Sequence, residues 1–217
     1  YTITILWVVG IMNSINMLDN MDAITSSISL TIIVPCVIMQ MLTHDCNIDT
    51  AVMITVAGAL LGFLRYNWAP AKMYMGDNGS QFLGIFLAYV GIKYFWNGIQ
   101  IVGEMNYAYN TIQFVMVASA FIVPLSDTTT VTINRLLQGK SPFVGGRDHT
   151  THYLFYRGLS TRMVAVTLIA FNLVGVCISQ FLTYYIDLPY WSYYCFLVYP
   201  LAVYLFLYIN TRVTKQK

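Results

Sequence analysis

Charge-free apolar runs cover residues 1–18, 23–43, 50–64, 78–92, 105–126, 163–186 and 188–211, and a spanning helix needs about 20 such residues. Hydrophobic residues make up 58% of the chain and charged residues 9%, where ordinary soluble domains carry roughly a quarter charged. This describes an integral membrane protein: an all-α, polytopic helix bundle of about seven membrane segments, the first incomplete. The chain reads as one membrane domain, 1–217, with residues 135–162 as its longest extramembrane loop. A net charge of +2 and the lack of a basic cluster interleaved with aromatics set nucleic acid aside. The four cysteines show no CxxC spacing, and three sit in apolar runs where a thiol packs as a small hydrophobe.

Four polar islands interrupt the runs: residues 13–22, 75–80, 124–127 and 146–152. Charge inside so apolar a chain is costly and marks candidate function. If each run crosses once, with the first island cytoplasmic, all four islands fall on one face. Basic residues test this, because cytoplasmic loops are enriched in Lys and Arg. Arg65, Lys72, Arg135, Lys140, Arg147, Arg157, Arg162, Arg212, Lys215 and Lys217 lie on the island side and only Lys93 on the other. The acids divide five (Asp19, Asp22, Asp77, Asp127, Asp148) to four (Asp45, Asp49, Glu104, Asp187), so the bias is one of positive charge. The run 50–64 is the weakest crossing, since fifteen residues rise only ~22 Å against a core of ~30 Å; a re-entrant path there would separate the first island from the rest.

Each island has its chemistry. Asn13, Asn16, Asp19 and Asp22 recur every third residue, so neighbours share a helix face; Asn donates to phosphate or sugar oxygens and Asp can hold Mg²⁺, while helix-end capping is the plainer reading. In Gly76-Asp77-Asn78-Gly79-Ser80, Asn78 or Ser80 is expected to cap the following helix, leaving Asp77 near its anion-attracting N-terminus. Asp127 follows Pro124, a residue able to kink the helix, and should face a polar cavity or bond to Thr128–Thr130. Arg147 offers a phosphate fork, Lys140 a second cation, and His149 and His152 can bind phosphate, move a proton or hold metal; zinc-type spacing is missing.

The stretches NSINMLDNMDA (13–23), FLRYNWAPAKMYMGDNGSQFLG (63–84) and PLSDTTTVTINRLLQGKSPFVGGRDHTTHYLFYRGLS (124–160) resemble, in order, the polyprenyl-phosphate N-acetylhexosamine-1-phosphate transferases. The family pattern N-x-x-N-x-x-D-G-x-D-G falls on Asn13, Asn16, Asp19 and Asp22, with Asn20 and Ala23 in place of glycines; of these Asn20 adopts a left-handed turn more readily. The loop pattern R-x-H-x-H-H matches at Arg147, His149 and His152, with Thr151 for the middle His. The family's D-D-x-x-D motif has no counterpart, and since Tyr1 opens inside an apolar run the expectation is an amino-terminal truncation, with the fragment alone inactive.

The resemblance implies that a UDP-N-acetylhexosamine and polyprenyl (undecaprenyl) phosphate meet at the cytoplasmic face of the bacterial inner membrane. A N-acetylhexosamine 1-phosphate, N-acetylglucosamine being favoured, would pass to the lipid with release of UMP, a first membrane step of cell-envelope polysaccharide synthesis. Asp77 would hold Mg²⁺, for which Mn²⁺ is an alternative, with Asn16 a further candidate ligand. Asp19, Asp22, Asp77 and His149 would serve catalysis; Asn13, Asn16, Asp127, Lys140, Arg147 and His152 would bind substrate; a second copy of the chain is a candidate partner. The alternatives are the muramoyl-pentapeptide branch, whose loop is richer in histidine, and, from other classes, a transporter or a nonenzymatic scaffold. A transporter would place titratable groups near mid-bilayer, whereas nearly all here lie at one boundary.

Overall fold

The computed structural model describes residues 1–98, 107–142, 145–184 and 190–214, with backbone alone for 107–109, 184 and 190. Glu104, Asp187, Lys215 and Lys217, which entered the charge reading, lie outside the described residues. Among the described residues all regular structure is helical, with no strand, as lipid demands of a chain that must satisfy its own backbone. The helices are α1 (Thr2–Leu18), α2 (Ile24–Leu42), α3 (Ile48–Asn67), α4 (Gly76–Val90) continuing into a π-helix (Gly91–Trp96), α5 (Tyr107–Ala120), α6 (Ile122–Leu137), α7 (Thr150–Tyr156), α8 (Thr161–Tyr184), α9 (Tyr190–Phe196) and α10 (Val198–Val213).

Among the described residues four stretches are long and apolar enough to cross a membrane: Ile24–Leu42, Ile48–Asn67, Thr161–Thr183 and Trp191–Val213. A fifth arises if α5 and α6, bent by 82° against each other, form one broken span. This is fewer than the seven expected from charge-free runs. α1 accounts for part of the difference, since it is apolar but has only 17 residues.

Two expectations about helices change. The run 50–64 lies within a 20-residue helix that takes in Asp49 and Arg65 at its ends, about 30 Å of rise and enough to cross. The break between α5 and α6 falls at Phe121, not at Pro124. Pro124 occupies the first turn of α6, where an N–H has no intrahelical partner to lose.

Within a bilayer, helices associate through close packing rather than hydrophobic burial. Gly84 of α4 lies so near α1 that a Cβ there would stand 2.7 Å from the Met12 Cα, and at Gly175 of α8 it would stand 2.1 Å from the Ser119 carbonyl oxygen of α5. Buried Ile11, Ile15 and Leu18 of α1 join Ile24, Ile28 and Ile32 of α2 and Leu87 of α4 in one core. Trp7 and Phe95 both meet Phe121 edge-on, at 5.3 and 5.9 Å, and the Trp7 indole N–H donates to the Ala88 carbonyl at 3.0 Å.

These contacts fix the directions of the first four helices. α1 ends where α2 and α4 begin, and α3 ends beside the start of α2, because the Asn67 carboxamide oxygen accepts the Ala23 N–H at 3.0 Å. At the opposite end Lys93 of the π-helix pairs with Asp49 of α3, and Thr50 donates to Gln40. The first two polar islands therefore lie at one end of the bundle.

Candidate functional site

The first island is the end of α1 and the turn beyond it. α1 stops at Leu18 with Asp19 as its C-cap, so Asn13 and Asn16 are helical while Asp19 and Asp22 are not. Asn16 faces α4: its side-chain N–H groups reach the Asp77 carboxylate at 3.1 Å and the Ser80 hydroxyl at 2.9 Å. Asn13 is exposed and returns its N–H to the Val9 carbonyl at 2.8 Å. Asp22 accepts the Ala71 N–H at 2.9 Å, which ties the loop after α3 to this turn.

Backbone geometry reverses one expectation here. Ala23 takes the left-handed conformation, with φ 66°, and Asn20 does not. Asn20 is engaged otherwise, donating to the Met17 carbonyl and accepting the Thr151 hydroxyl at 2.6 Å. Asn67 offsets part of the cost at Ala23: its carboxamide oxygen accepts the Ala23 N–H and the Ser26 hydroxyl, while its N–H group donates to the Met73 carbonyl. Asn67 lies at the end of an apolar helix, inside the stretch 63–84 that carries the resemblance, but nothing in the sequence singles out its amide.

The second island begins α4. Asp77 sits exposed in the first turn, as expected, but Met75 is the N-cap and Asn78 and Ser80 are already inside the helix. Ser80 instead donates to the Gly76 and Asp77 carbonyls. Burial pushes the Asp19 carboxyl above the usual carboxylate range; a hydrogen bond from Thr25 opposes this and the negative charge of Asp77 adds to it. Among the described residues no cationic side chain pairs with Asp19 or Asp77.

The third and fourth islands meet. Asp127 is wholly buried in α6. Its Oδ1 accepts the Thr150 N–H at 2.7 Å and the Thr150 hydroxyl at 2.6 Å, and its Oδ2 lies 2.8 Å from Nδ1 of His149. Its partners are thus on α7 rather than Thr128–Thr130; Thr128 donates to Ser14, which donates to the Pro124 carbonyl. His149 is the N-cap of α7, and its ring stands 5.8 Å from that of His152. Burial lowers the His152 titration below the usual histidine value, and neighbouring His149 lowers it further.

The loop 135–162, expected to be irregular, contains the end of α6, all of α7 and the start of α8. Buried Arg135 grips Asp148 through Nε and Nη2, at 2.7 and 2.6 Å, and donates Nη1 to the Pro142 carbonyl. Gly146 permits this fork, since a Cβ there would stand 2.6 Å from Asp148 Oδ1. Burial alone would raise the Asp148 titration, but Arg135 outweighs it and the carboxyl stays below its usual range. Exposed Lys140 and Arg147 line a pocket of about 280 Å³ with Arg135 and Tyr153.

All four islands are therefore bonded to one another: first to second through Asn16 and Asp77, first to third through Ser14, first to fourth through Asn20 and Thr151, and third to fourth through Asp127 and His149.

Residues 1–95 match the model of glycosyl transferase family 4. Over 181 residues the chain is 30% identical to a probable undecaprenyl-phosphate N-acetylglucosaminyl 1-phosphate transferase of Bacillus subtilis, covering 82% of this chain and 46% of that protein. It is 28% identical over 186 residues to a decaprenyl-phosphate N-acetylglucosaminephosphotransferase of Mycobacterium tuberculosis, covering 80% and 45%. A phospho-N-acetylmuramoyl-pentapeptide-transferase of Chlamydia trachomatis matches at 28% over 186 residues, covering 82% and 49%. The chain spans about half the length of the curated relatives it matches. The chain is thus similar over most of its length to polyprenyl-phosphate N-acetylglucosamine-1-phosphate transferases, and its residues 1–95 match the model of glycosyl transferase family 4.

Proposed function

We propose that the full-length protein transfers N-acetylglucosamine 1-phosphate from UDP-N-acetylglucosamine to a polyprenyl phosphate, working at the cytoplasmic face of a bacterial inner membrane. The observation that carries this reading is the hydrogen-bonded union of four polar islands at one end of a membrane bundle. A lipid phosphate oxygen bonds to the β-phosphorus of the nucleotide sugar as the bond to UMP breaks. Such a transfer asks of a protein mainly positioning and charge neutralisation.

The residues fit a hard divalent cation. Asp19 and Asp77 bring two carboxylates within electrostatic reach of each other without a compensating cation among the described residues, and Mg²⁺ binds through one or two carboxylates plus substrate phosphates and water. Asp77 and Asp19 would hold the ion, which when bound neutralises diphosphate charge. Asn16 holds the Asp77 carboxylate in place; Asp22 anchors the 68–75 loop against the site. Arg147 and Lys140 would attract the phosphates, and His149 and His152 would contact them. A second copy of the chain is a proposed partner.

The reading is tested in membranes carrying the full-length protein, supplied with radiolabelled UDP-N-acetylglucosamine and polyprenyl phosphate. UMP release and a labelled lipid are expected, and Asp77→Asn should lower turnover by about 10²-fold or more; normal turnover in that variant sinks the metal-ligand role. Turnover of UDP-N-acetylmuramoyl-pentapeptide in its place would assign the muramoyl branch instead.

A further inference from the structure

Asp127 is fully buried, and both its oxygens are taken by groups of the His149-Thr150 corner. An acid so enclosed does not reach a soluble nucleotide sugar or a lipid headgroup. We propose that Asp127 is a positioning residue: it holds the His149 ring with Nδ1 protonated and so presents Nε2 toward the phosphates.

Three observations carry the proposal. The Thr150 backbone N–H can only donate, which fixes Oδ1 as an acceptor and leaves Oδ2 for the ring. His149 Nδ1 lies 2.8 Å from Oδ2, the separation of a charge-assisted hydrogen bond. Among the described residues none bonds Nε2. In a neutral imidazole the partner of one nitrogen decides the state of the other, so a carboxylate on Nδ1 makes Nε2 an acceptor, able to take a proton or, once protonated, to donate to a phosphate oxygen. His149 is also the N-cap of α7 and Thr150 its first residue; the same carboxylate that orients the ring docks the start of that helix onto α6.

What Nε2 acts on rests on the sugar-phosphate transfer proposed above, whereas the tautomer is a property of the folded chain. The test uses full-length protein labelled with ¹⁵N-histidine, the His149 ring signals being identified by their loss in His149→Gln. On the alkaline side of the ring titration, wild type should show the Nδ1–H tautomer. In Asp127→Asn the Thr150 N–H claims the amide oxygen and turns the amide NH₂ toward the ring, so the tautomer should switch to Nε2–H. Turnover should then fall by about 10²–10⁴-fold with KM for the nucleotide sugar within about twofold, the effect known when the acid of a Ser-His-Asp triad becomes its amide. Thr150→Val, which keeps the backbone bond, should preserve the Nδ1–H tautomer.

An Nε2–H tautomer in wild type overturns the proposal, as does an unchanged tautomer in Asp127→Asn. A switched tautomer without loss of turnover, or a raised KM at unchanged turnover, overturns the positioning role. If Asp127→Asn does not fold, the wild-type tautomer decides alone. If wild type turns over none of the nucleotide sugars, the proposed function fails while the tautomer measurement still stands or falls by itself.

Discussion

At the scale of single residues, Arg135 and Asp148 decide what the histidine-bearing loop can do. Asp148 stands one residue before His149, and its bidentate grip by a buried guanidinium holds the chain where it turns into α7. Asp148 thus serves the loop rather than the substrate, although its place in the fourth island made it look like Arg147 and His149. Removing the guanidinium from this part-buried pair leaves the carboxylate uncompensated, at a cost of about 1–3 kcal/mol. Arg135→Gln should therefore lower the unfolding midpoint in detergent at neutral pH. The pH dependence follows from the depressed Asp148 titration. The pair's contribution is fully present above the carboxyl's ordinary value and is lost as pH falls through the folded-state value. The gap between wild type and Arg135→Gln should accordingly close in strongly acidic buffer; a gap independent of pH would assign the loss to packing.

At the scale of elements, glycines and one bend set the shape. The broken span α5–α6 turns by 82° at Phe121, a residue locked by Trp7 and Phe95. This turn sets the direction of the helix that carries Asp127 beneath α7. Behind it, α5 lies close against α8 because Gly175 has no side chain. Gly175→Val would drive carbon into a backbone carbonyl, which cannot yield as a flexible side chain does. Destabilisation by about 1–3 kcal/mol or more is expected, read as a lower unfolding midpoint, while the equivalent change at Gly58, whose Cβ position is open, should leave that midpoint unchanged. Equal effects at the two sites would refute the close-packing account.

At the scale of the whole molecule, the bundle is polar at both ends but unequal in chemistry. One end joins the four islands; the other carries the Lys93–Asp49 pair and the Gln40–Thr50 bond. In sealed inverted vesicles, with the four native cysteines replaced by Ser, a cysteine at Lys140 should react with an impermeant maleimide added outside, and one at Asp45 only after the vesicles are opened. The reverse pattern would invert the proposed orientation, and equal labelling of both would show that the two ends do not lie on opposite faces.

The sequence by itself determined a membrane-embedded, helical chain and the polar motifs that carry its family resemblance, because apolar length and the order of short polar patterns are local properties. The bias of Lys and Arg pointed to one face for the islands, but the seven crossings behind that reading are not matched by the four or five spans among the described residues. Local pattern could not show which island residues face a ligand and which face one another. Among the described residues no cation pairs with Asp19 or Asp77, whereas Asp22 accepts from Ala71 through one oxygen, and Asp127 and Asp148 bond the His149-Thr150 corner and Arg135. Ala23 in a left-handed turn, with Asn67 bonded to it across 44 positions of sequence, was likewise beyond local reading. Partners that distant are chosen by how helices pack, and in this bundle the packing turns on Gly84, Gly175 and Phe121, none of which carries a polar signal.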